Sequence, residues 1–295
     1  MLTVLQNLQD VAIETGEPAP SAVVGTTDIT NLQLFAFMNR IGDMLVSEHD
    51  WQALTKGYQF STVGYSYVGG MVTGSNLITM ANTSGLTTDF DIRGDGIPAN
   101  SMITSIVPNV SVSISNNATK TQSISLDFGQ VNYPLPSDFH HLVPDTSYDQ
   151  GNKWPMSSVT AQGWNYLKSG WLSGNTRVLF RLLGGDKFSI FPSQSGQRTF
   201  TFEYISKNYV TDLLGVAKNR FTADDDVCVF PDCLMVMGCK LKFWQQKGFD
   251  STILDADFSR ELAKYKGQQA ASQALNMGGL VRSDMVLNIP EGNFG

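Results

Sequence analysis

Charge is scarce in this chain. Asp, Glu, Lys and Arg supply 16% of its 295 residues, against roughly 25% in an average soluble domain, so much of the surface must be uncharged polar or covered by partners. The balance is acidic, with a net charge of -7 and an isoelectric point near 4.9. That argues against tight capture of phosphate backbones, which needs clustered Lys and Arg, and against an anionic membrane surface. No run of about 18 apolar residues occurs, so no segment reads as a bilayer-spanning helix. The stretch Met1–Gln9 has neither a basic start nor a continuous apolar run, and the expectation is a protein made and used without Sec export. Phosphate-cradling glycine motifs are missing too, with no G-x-x-x-x-G-K and no G-x-G-x-x-G, so no nucleotide cofactor is expected.

Cysteine is equally sparse. Cys228, Cys233 and Cys239 are an odd number with no disulfide framework, which suits a reducing compartment. They lack the paired knuckles of structural zinc, and His49, His140 and His141 are remote in sequence. The expectation is small apolar fillers and no metal. Glycine (27) and proline (11) are at ordinary levels, which excludes collagen-like and largely disordered chains. The length fits one or two compact units.

What is present divides by pattern. Leu2, Leu5, Leu8, Val11 and Ala12 recur at helical spacing over residues 2–14, with Gly16 and Pro18 as the stop. Thr30 and Gln33 have capping-box spacing ahead of Leu34, Phe37, Met38, Ile41, Met44 and Leu45, predicting a second helix to about Asp50. A strand is expected over Tyr58–Val63. Composition then shifts: residues 61–129 hold twenty Ser or Thr and six charged residues among sixty-nine. Short alternating runs at 76–80, 102–107 and 110–115, separated by turn signals at Gly69-Gly70, Asp95-Gly96, Pro98 and Asn116-Asn117, predict a small all-β module inserted into the sheet of the body.

The body resumes near Val131. Ser137 or Asp138 is placed to cap a short helical turn, and a short helix is expected over 160–168, presenting Trp164 and Leu167. Strands at 177–182, 187–191 and 199–205 are expected to form a meander. The apolar run 231–247 is long enough for a buried helix, and Leu254, Phe258, Leu262 and Tyr265 mark a last helix that Ala270, Ala271 and Ala274 extend to Gly278-Gly279. Beyond it, Leu280–Gly295 alternates apolar and polar residues. The resulting class is α+β: a helical body packed on a small antiparallel sheet (1–63 and 130–276), an inserted all-β module (64–129) and an extended C-terminal arm (277–295).

No constellation carries convincing chemistry. Asp89, Asp91 and Gly94 match a calcium loop at positions one, three and six, but Arg93 and Asn100 occupy positions five and twelve, so a hairpin turn is expected. Asp224-Asp225-Asp226 reads as a solvated turn or helix start. His140-His141, beside Asp138 and Asp145, lacks a nucleophile signature, and neither catalysis nor an enzyme is expected. Phe200, Phe202 and Tyr204 read as a packed strand face. The arm is the remaining candidate. Leu280, Val281, Met285, Leu287 and Ile289 have the alternation of a strand that docks on a neighbour by β-augmentation, with a loose terminus as the bland alternative.

The order of certain pieces is more telling than any single motif. Ser21–Gly25, then Glu48–Leu54, then Leu135–Asp145, then Phe202–Tyr209 together resemble the head-to-tail adaptor proteins of short-tailed bacteriophages, the tail-tubular or gatekeeper group. The resemblance covers 1–63 and 130 to about 275; residues 74–121 are similar to small β modules inserted in phage structural proteins and depart from the shortest adaptors. It implies a noncatalytic virion protein of the neck, assembled in the host cytoplasm. Its copies would form a ring, commonly of twelve, between the portal and the tail nozzle, with genome DNA passing through without specific binding. By position, the arm residues would reach the portal or a neighbouring subunit. A competing expectation is a receptor- or carbohydrate-binding tail protein that presents Tyr65 and Tyr67 from the inserted module.

Overall fold

The structure, a computed structural model, describes residues 1–169 and 177–269. Helix α1 (Val4–Thr15) starts at a capping box in which the Thr3 side chain accepts from the Gln6 amide and Gln6 accepts from the Thr3 amide. It stops at Gly16, whose φ of 77° is left-handed and cheapest for a residue without Cβ. Helix α2 (Ile29–Glu48) is capped by Asp28, which accepts from the Thr30 amide. Thr30 and Gln33 therefore lie inside the helix, because the aspartate two residues upstream of Thr30 already takes the capping position and accepts from its amide. Helix α3 (Ala161–Lys168) buries Trp164 and Leu167 and is capped by Thr160. Helix α4 (Asp232–Lys247) packs against α1, α2 and α5 (Thr252–Gln269). The α2 row Leu34, Met38, Ile41 and Leu45 meets Leu234, Met235 and Cys239, all fully buried; burial of each large apolar side chain contributes about 1.5–3 kcal/mol. Trp51 closes the end of this core, its indole N–H donating to the Leu45 carbonyl at 2.6 Å.

Strand β1 (Thr55–Ser61) leaves the helices and leads into a closed six-stranded antiparallel barrel. Its strands are β2 (Gly64–Met71), β3 (Leu77–Thr79), β4 (Phe90–Arg93), β5 (Ser101–Val107), β6 (Ser111–Ile114) and β7 (Gln122–Gln130), in spatial order 2-3-6-5-4-7. Closure removes free edges, so short strands of weak apolar content persist without a partner sheet. Met71, Ile78, Ile92, Ile103, Val112, Leu126 and Phe128 fill the interior. Gly69-Gly70, expected as a turn, lies within β2. A Cβ on Gly69 would sit 2.8 Å from both Ile78 and Leu126, so the glycine makes room for the opposite wall.

The chain then builds two further sheets. β8 (Asn132–Pro134) pairs with β14 (Lys187–Phe191), which pairs with β13 (Leu179–Leu183), which takes β12 (Ser157–Ser158) in parallel. In the other sheet β15 (Thr199–Ser206) is central: β1 lies along one edge, with Thr55 opposite Ile205 and Ser61 opposite Thr199. On its other edge are β9 (Phe139–Leu142) and β10 (Tyr148–Asp149), with β11 (Trp154–Pro155) beyond β10. The expected meander is therefore absent among the described residues: β13 and β14 form a hairpin, and β15 pairs elsewhere. Phe188 stacks on both Phe180 (4.8 Å) and Phe202 (5.2 Å), so one aromatic core joins the two sheets. A small three-stranded sheet, β16 (Val210–Thr211), β17 (Ala217–Lys218) and β18 (Val227–Cys228), ties the second sheet to the helices.

The barrel is seated on the body by backbone proximity. Gly64 and Gly129 face each other across β2 and β7. A Cβ on Gly64 would lie 2.0 Å from the Gln194 carbonyl, and one on Gly129 would lie 2.5 Å from Ser193 Oγ. Ser193 donates to Asp91 of β4, and Arg93 donates back to the Ser193 carbonyl at 2.5 Å.

Candidate interaction surface

The five arm residues proposed from sequence, Leu280, Val281, Met285, Leu287 and Ile289, lie outside the described residues, as do Ala270, Ala271, Ala274 and Gly278-Gly279. The described chain reaches Gln269. Gln269, at the end of α5, accepts from the Gln52 amide through Oε1 and from Gln52 Nε2 through its carbonyl, both at 3.0 Å. Lys266 pairs with Glu48 at 2.7 Å. The described residues therefore end beside the junction of α2 and β1.

Sequence reasoning missed a second apolar feature. Between β16 and β17, Leu213, Leu214 and Val216 are 76, 89 and 57% exposed. The tip is held from within, because Asp212 Oδ1 accepts from the amides of Leu214 (2.9 Å) and Val216 (2.8 Å), and Gly215 takes a φ of 81°. An aspartate satisfying the next amides is ordinary turn chemistry. Two consecutive leucines at such a tip are the unusual part, since exposed apolar side chains in a fixed arrangement mark contact surfaces. The signal in sequence was Asp-Leu-Leu-Gly-Val, with turn residues flanking apolar ones.

The carboxylates placed from sequence take structural parts. Asp138 starts no helical turn, because β9 follows it directly. Instead it accepts from Lys56 Nζ (2.6 Å), Tyr204 Oη and Ser206 Oγ (both 2.8 Å), joining β1 to β15. Burial alone would raise its pKa; the three donors outweigh burial and hold it down to about 2. Asp226, read as solvated, is 1% exposed and accepts from the Thr222 and Ala223 amides and from Lys218. Asp224 accepts from the Val23 and Val24 amides. Asp224 and Asp226, two residues apart, thus serve separate backbone segments. Asp95-Gly96 lies between the paired strands β4 and β5, with Asp95 taken by Lys120 at 2.7 Å.

His140 and His141 are the nearest approach to reactive chemistry. His141 Nε2 lies 2.7 Å from Asp50 Oδ1, and the two Nδ1 atoms are 2.7 Å apart. With His141 donating to Asp50, its Nδ1 accepts from His140, giving a short Asp–His–His chain. Burial, then His141 and Lys207, lowers the pKa of His140 and favours its neutral form. Among the described residues no hydroxyl or thiol donates to either ring: Ser47, which shares a cleft of about 400 Å³ with His140, donates to the Asp43 carbonyl. The cluster can orient a proton, and it aligns no nucleophile. Burial pushes the Cys228 thiol up to about 12 and raises Cys239 as well. Cys233 is exposed, so the filler reading fits only the other two.

Tyr65 and Tyr67 are half-buried, not exposed. Their rings stack at 5.7 Å against the barrel core, and Tyr67 donates to the Ser84 carbonyl. In comparisons with known proteins, no family model and no curated protein matches this chain.

Proposed function

We propose that the chain is a noncatalytic structural protein of a short-tailed phage virion. In this reading it is a head-to-tail adaptor whose copies close a ring, commonly of twelve, between the portal and the tail nozzle. The Asp212-braced tip carries the reading. Leu213 and Leu214 are exposed on a loop whose own hydrogen bonds already fix it, so docking costs little ordering entropy. A tip that fits a different face of the next copy makes a heterologous contact, and such contacts make a ring when the rotation between copies closes. The net charge of -7 lets genome DNA pass without capture. The arm expected at 277–295 is the proposed reach toward the portal. The receptor- or carbohydrate-binding alternative through the barrel loses its platform, since Tyr65 and Tyr67 are spent on packing.

The test is the double substitution Leu213→Asp, Leu214→Asp. Burying two leucines at an interface contributes about 4 kcal/mol, so the variant's contact should weaken about a thousandfold. Fold stability should stay within about 0.5 kcal/mol, because both side chains are solvated in the single chain. Negative-stain micrographs of the chain mixed with its portal should show rings for the unaltered protein and none for the variant. Unaltered chain that stays monomeric at high concentration with portal present would overturn the proposal.

A further inference from the structure

The charge of this chain is unevenly spread. Residues 150–207 carry seven Lys and Arg against two Asp and Glu, while the remainder carries thirteen against twenty-five. The basic segment supplies most of a cleft of about 430 Å³ where the barrel meets the body, lined by Asn152, Trp154 of β11, Gln194 and Arg198 among others, with Arg93 of β4 from the barrel. That volume suits a small organic ligand and is far too small for a duplex.

The lining has unspent hydrogen-bonding capacity. Asp149, 3% exposed, accepts through Oδ1 from the Gly151 and Asn152 amides. Its Oδ2 lies 3.7 Å from the Arg198 guanidinium, close enough to orient the cation and too far for a hydrogen bond. Among the described residues the Arg198 guanidinium and the Asn152 side-chain amide make no hydrogen bond, so the donor fork of Arg198 is available. Arg93 is held the same way, 3.8 Å from Asp91, with one N–H given to the Ser193 carbonyl. Trp154 is 41% exposed with Arg177 over its ring at 5.6 Å. An indole beside two guanidiniums and the free Asn152 amide, with the Gln194 amide already given to the Pro192 carbonyl, matches three features of one ligand: a flat C–H face, vicinal hydroxyls and a carboxylate.

We propose that this cleft binds a sugar ring carrying a carboxylate, with Arg198 clamping the carboxylate, Trp154 covering the ring and Asn152 reading its hydroxyls. Arg93 supplies the second positive charge. The site stands apart from the Leu213–Leu214 tip and does not depend on ring assembly.

The experiment is calorimetric titration of the full chain with trigalacturonate, neutral galactotriose, inorganic phosphate and a hexathymidylate. Trigalacturonate should bind at least about tenfold more tightly than galactotriose and phosphate. Arg198→Gln and Trp154→Ala should each lower that affinity about tenfold with the melting midpoint unchanged, while Arg260→Gln on α5 should leave it alone. No heat from trigalacturonate at about 10 mM, equal binding of phosphate or galactotriose, or tighter binding of hexathymidylate would each overturn the proposal. So would binding that both cleft variants retain. If either variant melts early, saturation-transfer resonances from the sugar on the unaltered chain decide the matter: transfer to the ring protons of trigalacturonate supports the site, and none overturns it.

Discussion

Gly42→Ala sets two ordinary effects against each other, and the structure decides the sign. In a solvent-facing helix the change stabilises by about 1 kcal/mol. Gly42 is instead buried within α2, and a Cβ there would lie 2.1 Å from Cε2 and 2.3 Å from Cζ of Tyr209. That ring has no easy retreat. It is fully buried, stacked on Phe230 at 5.8 Å, edge-on to Phe221 at 6.0 Å, and anchored by its hydroxyl, which donates to the Asn39 carbonyl at 3.0 Å. Displacing it overpacks the core at about 1–3 kcal/mol and leaves a buried hydroxyl unsatisfied at about 1–3 kcal/mol. Less the helical gain, the net loss is about 1–5 kcal/mol, centred on about 3. With a urea slope of about 3 kcal/mol/M for a chain of this size, the midpoint should fall by about 1 M. Tyr209→Leu removes the obstruction at its own cost, and adding Gly42→Ala to that background should then be neutral or mildly stabilising. A single Gly42→Ala variant as stable as the unaltered chain would refute the reasoning. So would a penalty that persists in the Tyr209→Leu background, since the coupling between the two positions is the claim.

Two further outcomes follow from the contacts of Asp138 and Gly129. The folded pKa of Asp138, about 2, lies below its ordinary 3.8, so the folded state binds fewer protons. The stability this adds is present above about pH 4 and is lost as pH falls toward 2, amounting to about 2 kcal/mol. Asp138→Asn should remove that share at pH 7 and flatten the urea midpoint between about pH 5 and 2.5; an unchanged acid slope counts against the assignment. Gly129→Ala places a Cβ 2.5 Å from Ser193 Oγ and 2.9 Å from the Gln194 carbonyl, so the barrel must lift from the body. Hydrogen exchange should speed up at residues 192–198 while β5 and β6 stay protected, and Gly57→Ala, with nothing within 4 Å, should change neither.

How much of this was legible in the sequence depends on how local the deciding force is. Helices were legible, because i, i+4 recurrence reports one buried face directly: Leu254, Phe258 and Leu262 fall on α5, and the apolar run after Pro231 is α4. The α+β class followed from those helices together with the short alternating strands. Barrel closure was not legible. It rests on β7 pairing with both β2 and β4, contacts between segments up to about sixty residues apart that no turn signal encodes, and Gly69-Gly70 misled because a glycine that clears space for an opposite wall looks like a glycine that turns a chain. Asp28 outcompeted Thr30 as a cap for an equally plain reason: α2 has one start, and the first side chain able to meet its amides takes it. Asp138 and Asp226 misled because carboxylates without a neighbouring cation in sequence find one in space, Lys56 and Lys218 respectively.

The candidate surfaces follow the same division. Leu213-Leu214 passed unnoticed since two leucines in sequence are read as core by default, and only their exposure in the fold reverses that reading. The Arg198 cleft draws on β4, the β10–β11 hairpin and the loop between β14 and β15, which meet only because Gly64 and Gly129 let the barrel seat against residues 193–195. If that seat is what builds the cleft, the two are one structure and must fail together. Gly129→Ala should then abolish trigalacturonate binding even though no lining residue has changed, and the proposed ring contact through the Asp212-braced tip, which shares no residue with the cleft, should survive. Retained sugar binding in a variant whose 192–198 amides exchange freely would separate the cleft from the seat and refute the dependence.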